Sequence, residues 1–130
     1  MPPPTIIEPI IQKNVGDCAI AVLAMLLGKP YREVSAAAIT MTRTPHRVGL
    51  GSRQIAALAR AMGSGLTKAR PPFDLEDETG MLCVAFPDKS EHAMVLFCGV
   101  IYNPADGLLY APDVYLSAKR TRVVGLWRVR

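Results

Sequence analysis

Cys18 stands between a polar turn and an uncharged apolar run, and no other residue of this chain is better placed to act as a nucleophile. The run Cys18 to Leu27, CAIAVLAMLL, is long enough for a short helix, and Gly28 and Pro30 follow it as they commonly follow a helix end. Carrying no charge, that helix is expected to be buried. A thiol at its first turn, directly after Asp17, meets unpaired backbone N–H groups and the positive end of the helix dipole, and both favour thiolate over thiol. A thiolate that attacks an acyl group needs two helpers. One is an imidazole that pairs with it and later protonates the leaving group; the other is a group that orients the imidazole.

The chain has two histidines. His46 lies in the loop TPHRVG, whereas His92 opens an apolar strand directly after a turn, where a ring can be held rigidly at a sheet edge facing a helix. Strand parity narrows the third group. If Cys98 and Gly99 form a two-residue turn, Phe97 faces Val100, and the same ladder sets Asn103 opposite Met94. Met94 shares a face with His92, so Asn103 becomes the diagonal neighbour of His92, within reach of an amide side chain. A one-residue bulge would reverse the parity and offer Asp106 instead, so Asn103 and Asp106 are both candidates.

The elements that must position these groups follow from pattern. Ile6 to Ile11 reads as a short extended segment that delivers Gln12, with Pro9 confining any strand to an edge. Pro30 starts a second helix, PYREVSAAAITM, with Val34, Ala37, Ala38 and Met41 on one face. Ser52 reads as the N-cap of a third, RQIAALARAM, in which Ile55, Leu58, Ala59 and Met62 form a core stripe closed by Gly63. Leu66 to Arg70 is a short strand. From Met81 onward the pattern is of strands: MLCVAF, HAMVLF and VIYN, with VVGLWRV near the C-terminal end. Helices first and strands later predict an α+β fold with an antiparallel sheet rather than a parallel βαβ array.

Here the residues carry a resemblance. Gln12, then Asp17-Cys18 and AIAVLAML, resembles the nucleophile motif of the papain-like cysteine peptidases that remove double-glycine leaders from bacteriocins, a domain found on some ABC exporters and in stand-alone relatives. VGLGSRQIAALARAMG is similar to that family's middle section, and His92-Ala-Met-Val-Leu followed by Tyr102-Asn103-Pro104 is similar to its histidine strand and aspartate-proline. Residues 10–110 are covered, with Ala19 where the family often has glycine and Asn103 where it usually has aspartate. Asparagine is the orienting residue in papain itself. The resemblance implies a papain-like fold with N-terminal helices packed on a C-terminal antiparallel sheet. It also implies that Gln12, six residues before the cysteine, supplies the oxyanion hole, with Cys18, His92 and Asn103 as the triad.

Length and composition bound the alternatives. At 130 residues and 14.1 kDa, half hydrophobic, one domain is expected over residues 1–130: an arm at 1–11, a helical part at 12–63 and a mainly β part at 64–130. No apolar run approaches the roughly 18 to 20 residues that span a bilayer, and MPPPTIIEPIIQ lacks the basic start of a secretory signal, so a cytoplasmic location is expected. Three cysteines without a CxxC pair give neither a disulfide framework nor a zinc ribbon, and Cys83 and Cys98 read as small core hydrophobes. The acidic group Asp74, Glu76, Asp77 and Glu78 lacks the spacing of a calcium loop and reads as a solvated turn, so no metal and no cofactor is expected. The net charge of +4 has few aromatics interleaved with it, which favours a solvated basic surface over nucleic-acid binding. The expected partner is a peptide or protein substrate. The alternative function is a catalytically degenerate module that binds peptide or serves as a structural part of a larger assembly, such as a phage particle.

Overall fold

The computed structural model describes residues 6–14, 16–43, 45 and 49–129. The proline-led start of the arm, His46 and Arg130 lie outside them. Helix α1 (Cys18–Leu27) ends at Gly28, whose left-handed backbone lets its N–H reach the Ala24 carbonyl. Every residue of α1 after Cys18 is buried, as an uncharged helix requires. Helix α2 (Tyr31–Met41) follows, with Pro30 as its N-cap rather than its first residue and with Val34 and Ala38 buried. Helix α3 (Ser52–Ala61) buries Ile55, Leu58 and Ala59. Its N-cap is Gly51, not Ser52, and the Gln54 side chain accepts the Gly51 N–H at 3.0 Å. That bond satisfies the Gly51 N–H from the Gln54 side chain, the half of a capping box that needs no N-cap side chain.

The strands are β1 (Leu66–Lys68), β2 (Gly80–Ala85), β3 (Glu91–Phe97), β4 (Val100–Tyr102), β5 (Leu109–Tyr110) and β6 (Arg122–Val129). They form a six-stranded sheet in the order β1-β6-β2-β3-β4-β5. Each neighbouring pair is antiparallel. Alternation along the strands divides the core in two. Met81, Ala93 and Val95 pack with α1, α2 and α3, while Leu82, Val84, Met94, Leu96, Ile101 and Leu126 pack on the other side with Tyr115. Tyr115 belongs to helix α4 (Pro112–Ala118), which the sequence pattern did not signal, and it gives the sheet a cover on its second face. The Ile6 to Ile11 segment joins no strand, although the Gln12 N–H does bond the Pro104 carbonyl at 2.8 Å. The expected α+β arrangement stands, with α4 as the addition.

The β3–β4 hairpin fixes the register near the site. Cys98 and Gly99 both have positive φ, 48° and 81°, as a tight two-residue hairpin turn requires. Phe97 accordingly opposes Val100 and Val95 opposes Tyr102, the pairing that sets Asn103 against Met94. Cys98 is therefore exposed in the turn, not buried in a strand as its apolar neighbours suggest. No helix among the described residues is long and apolar enough to cross a membrane.

Candidate active site

The site lies where α1 starts, β3 starts and β4 ends. Cys18 is the first residue of α1, His92 is the second of β3, and Asn103 directly follows β4. Antiparallel pairing brings the start of β3 and the end of β4 to one edge of the sheet, and α1 packs across β3 with its thiol at that edge. The Nε2 of His92 lies 2.8 Å from Oδ1 of Asn103. Asparagine oxygen only accepts, so Nε2 carries the proton in this bond. The other ring nitrogen is left for Cys18, with which His92 is also hydrogen-bonded. Asn103 is itself held: its Oδ1 also accepts the Ala105 N–H at 3.0 Å, and its side chain is buried.

The two titrating groups move each other. Burial pushes the Cys18 thiol up, but the hydrogen bond and charge of His92, with the backbone amides of Ala93 and Ala19, outweigh it and hold the thiol below its ordinary value. Burial pushes the His92 imidazole down, and its bonds to Cys18 and Asn103 reverse that and raise it. A lowered thiol beside a raised imidazole is the direction in which a thiolate–imidazolium pair is favoured. Cys83 is the contrast. It lines the same cleft, but burial and the nearby Cys18 push its thiol up to about 12, so it remains a thiol.

A cleft of about 530 Å³ opens beside Cys18 and His92. Gly16, Ala19, Gly49 and Gly51 line it together with Ile55, Met81, Cys83 and Trp127. The indole of Trp127 lies against Gly125, where a Cβ would come within 2.4 Å of the ring, and the Lys68 ammonium stands 5.2 Å from the ring centre. Directly opposed on β1 and β6, Lys68 and Trp127 form one platform at the cleft rim.

The structure brings Cys18, His92 and Asn103 together. Asp106 acts on the ring through its charge, which helps to raise the imidazole, while its carboxylate accepts the Leu108 N–H at 2.8 Å and the Tyr110 hydroxyl, closing its own loop. Gln12 lies on the turn leading into Cys18, beside a shallow depression with Lys13, Asn14 and Ala105, and its Nε2 donates to the Asn14 carbonyl at 2.9 Å. Among the described residues no cluster of histidine, cysteine and acidic side chains is arranged to hold a metal. Three features escaped the sequence. They are the buried Asp17 carboxylate, Tyr31 bonded to it, and the Lys68–Trp127 platform. The donors of the first come from the backbone and from another helix, and the platform depends on a pairing of strands far apart in the chain.

No family model and no curated protein matches this sequence. Among solved structures the chain is similar to a double glycine motif protease from an AMS/PCAT transporter, crystallised in complex with the leader peptide. The two share 20% identity and a TM-score of 0.64, over 99% of this chain and 97% of that one. With its helices packed on a six-stranded antiparallel sheet, the chain has the α+β, papain-like cysteine peptidase fold.

Proposed function

We infer that this chain is a cysteine peptidase in which Cys18, His92 and Asn103 cleave a peptide bond. The His92 imidazole bonded to Asn103 at 2.8 Å and set beside the Cys18 thiol in an open cleft is the observation that carries this function, and the directions in which the thiol and the imidazole shift agree with it. In the reaction, the Cys18 thiolate attacks the carbonyl carbon of the scissile bond. The developing oxyanion is met by the Gln12 side-chain amide and the Cys18 backbone N–H. His92 gives its proton to the departing amine, leaving a thioester on Cys18, and then takes a proton from the water that hydrolyses it. Asn103 accepts the Nε2–H bond and keeps the ring turned toward the thiol.

The substrate class proposed is a peptide with small residues at the cleaved bond, such as a double-glycine leader. Two features support it. The similar protease was solved with a leader peptide, and Gly16, Ala19, Gly49 and Gly51 are among the residues that line the cleft with Cys18. A Cβ on Gly49 would already stand 3.3 Å from the Gly16 carbonyl. Incubating the protein with peptides that carry a Gly-Gly site, followed by mass spectrometry, tests the proposal. Cleavage after the second glycine, abolished in Cys18→Ala and His92→Ala, is expected. Absence of any cleavage, together with a Cys18 no more reactive than a free thiol, would remove the peptidase function.

A further inference from the structure

Asp17 is the one carboxylate with no exposed surface among the described residues. A buried carboxylate needs several donors, and it has them. Its Oδ2 accepts the Lys13 N–H at 3.2 Å and the hydroxyl of Tyr31, and its Oδ1 accepts the Asn14 N–H at 3.1 Å. Asn14 is the node of this cluster. Its N–H goes to Asp17, and its carbonyl accepts both the Asp17 N–H at 3.4 Å and the Gln12 Nε2 at 2.9 Å. Tyr31, the first residue of α2, closes the cluster from outside the turn: the Lys13 ammonium lies 5.0 Å from its ring centre. Burial and the bond to Asp17 push the Tyr31 hydroxyl up to about 12, so it stays a donor across the neutral range.

We propose that Asp17 and Tyr31 are positioning residues that set the Gln12 amide through the Asn14 backbone, so that α2 holds the oxyanion side of the site independently of the Cys18–His92 pair. The geometry is a relay: Tyr31 hydroxyl to Asp17 carboxylate, Asp17 carboxylate to Asn14 N–H, Asn14 carbonyl to Gln12 Nε2. Gln12 is pinned at its other end by its N–H on the Pro104 carbonyl, beside Asn103. Both ends of the Gln12 residue are thus tied to elements that flank the thiol. This assignment rests on the peptidase function above, in which Gln12 meets the oxyanion. What it adds is that a hydroxyl on a different helix governs that donor.

The test compares two reagents on the same thiol. Acylation of Cys18 by p-nitrophenyl acetate passes through a tetrahedral oxyanion, whereas alkylation by iodoacetamide does not. Tyr31→Phe deletes only the hydroxyl. It is expected to slow acylation by about tenfold, less than the roughly 100- to 1,000-fold lost when an oxyanion donor is removed outright. Alkylation and its pH profile should stay within about twofold of wild type. In a Gln12→Ala background, Tyr31→Phe should have no further effect on acylation, because Tyr31 acts through Gln12. Asp17→Asn, checked for folding by circular dichroism, should repeat the pattern. Equal falls in acylation and alkylation, or a Tyr31→Phe loss that persists undiminished without Gln12, would overturn the relay. So would an unchanged ratio of the two rates. A wild-type Cys18 that alkylates no faster than free cysteine would instead count against the peptidase function, so the two failures are distinguishable.

Discussion

Replacing Gly125 with alanine would test whether Trp127 walls the cleft. Gly125 sits on β6 opposite Cys83, at the step where the β2–β6 register shifts. A Cβ there would stand 2.4 Å from Cζ3 and 2.6 Å from Cη2 of Trp127, where ordinary contact begins near 3.4 Å. The ring must withdraw by about 1 Å. Both crowded atoms lie at the far end of the indole, so the side chain swings while the strand keeps its ladder, at an overpacking cost of about 1–3 kcal/mol. Lys68, whose ammonium rides on the ring, loses its platform or moves with it. Trp127 is the sole tryptophan of the chain, so its emission reports on this ring alone. Gly125→Ala should shift the emission maximum and raise acrylamide quenching. It should also raise KM for a peptide substrate several-fold and leave Cys18 alkylation unchanged, because nothing in the Cys18–His92 pair touches Gly125. Emission and KM both identical to wild type would refute the placement of the indole as the cleft wall.

Other changes probe the site and its support. Asn103→Ala frees the His92 ring and should lower kcat by about tenfold or more, whereas Asp106→Asn, which loosens its own loop and removes only the smallest of the influences that raise His92, should leave kcat within about twofold in the same peptide assay. Leu23→Ala empties a fully buried position of α1 and should cost about 2–5 kcal/mol, read as a lower denaturation midpoint with an unchanged slope. Peptide turnover should be bell-shaped in pH. The thiolate is lost as pH falls through the lowered value of Cys18, and the imidazolium proton is lost as pH rises through the raised value of His92. The acid limb therefore lies below the ordinary range of a free thiol and the alkaline limb above the ordinary range of a free imidazole. A profile still climbing through the region of a free thiol would contradict the paired state.

What could be read from the sequence was what local chemistry determines. An uncharged run closed by Gly28 had to be a buried helix, and Cys18 had to stand at its start. Strand parity offered Asn103 if Cys98 and Gly99 made a two-residue turn and Asp106 if a bulge intervened, and the turn is the two-residue one. Features set by tertiary contact were not legible. Helix α4 is two turns long and buries only Pro112 and Tyr115, too few positions to show a period, although Pro112 at its first turn and Asp113 after it are helix-start residues. Cys98 looked apolar by its neighbours because the turn that exposes it is specified by backbone conformation, not by hydropathy. By residue type Ser52 was the expected cap, and the helix is instead capped one residue earlier, at Gly51, whose N–H is taken by the Gln54 side chain. Asp17 gave no sign of being buried, since its donors come from backbone amides and from Tyr31 on another helix.

The central claim is that Cys18 is ionised by His92. Iodoacetamide alkylation of Cys18 at pH 6, followed by intact-mass measurement on native protein and on His92→Ala, tests it most directly. A free cysteine with a pKa of about 8.5 is only about 0.3% thiolate at that pH. Native Cys18 should react well above a free cysteine run alongside it, and His92→Ala should fall to or below that reference, because burial, the largest influence on the thiol, is then opposed only by the backbone amides of Ala93 and Ala19. A native rate no greater than that of free cysteine, unchanged by His92→Ala, would contradict the account.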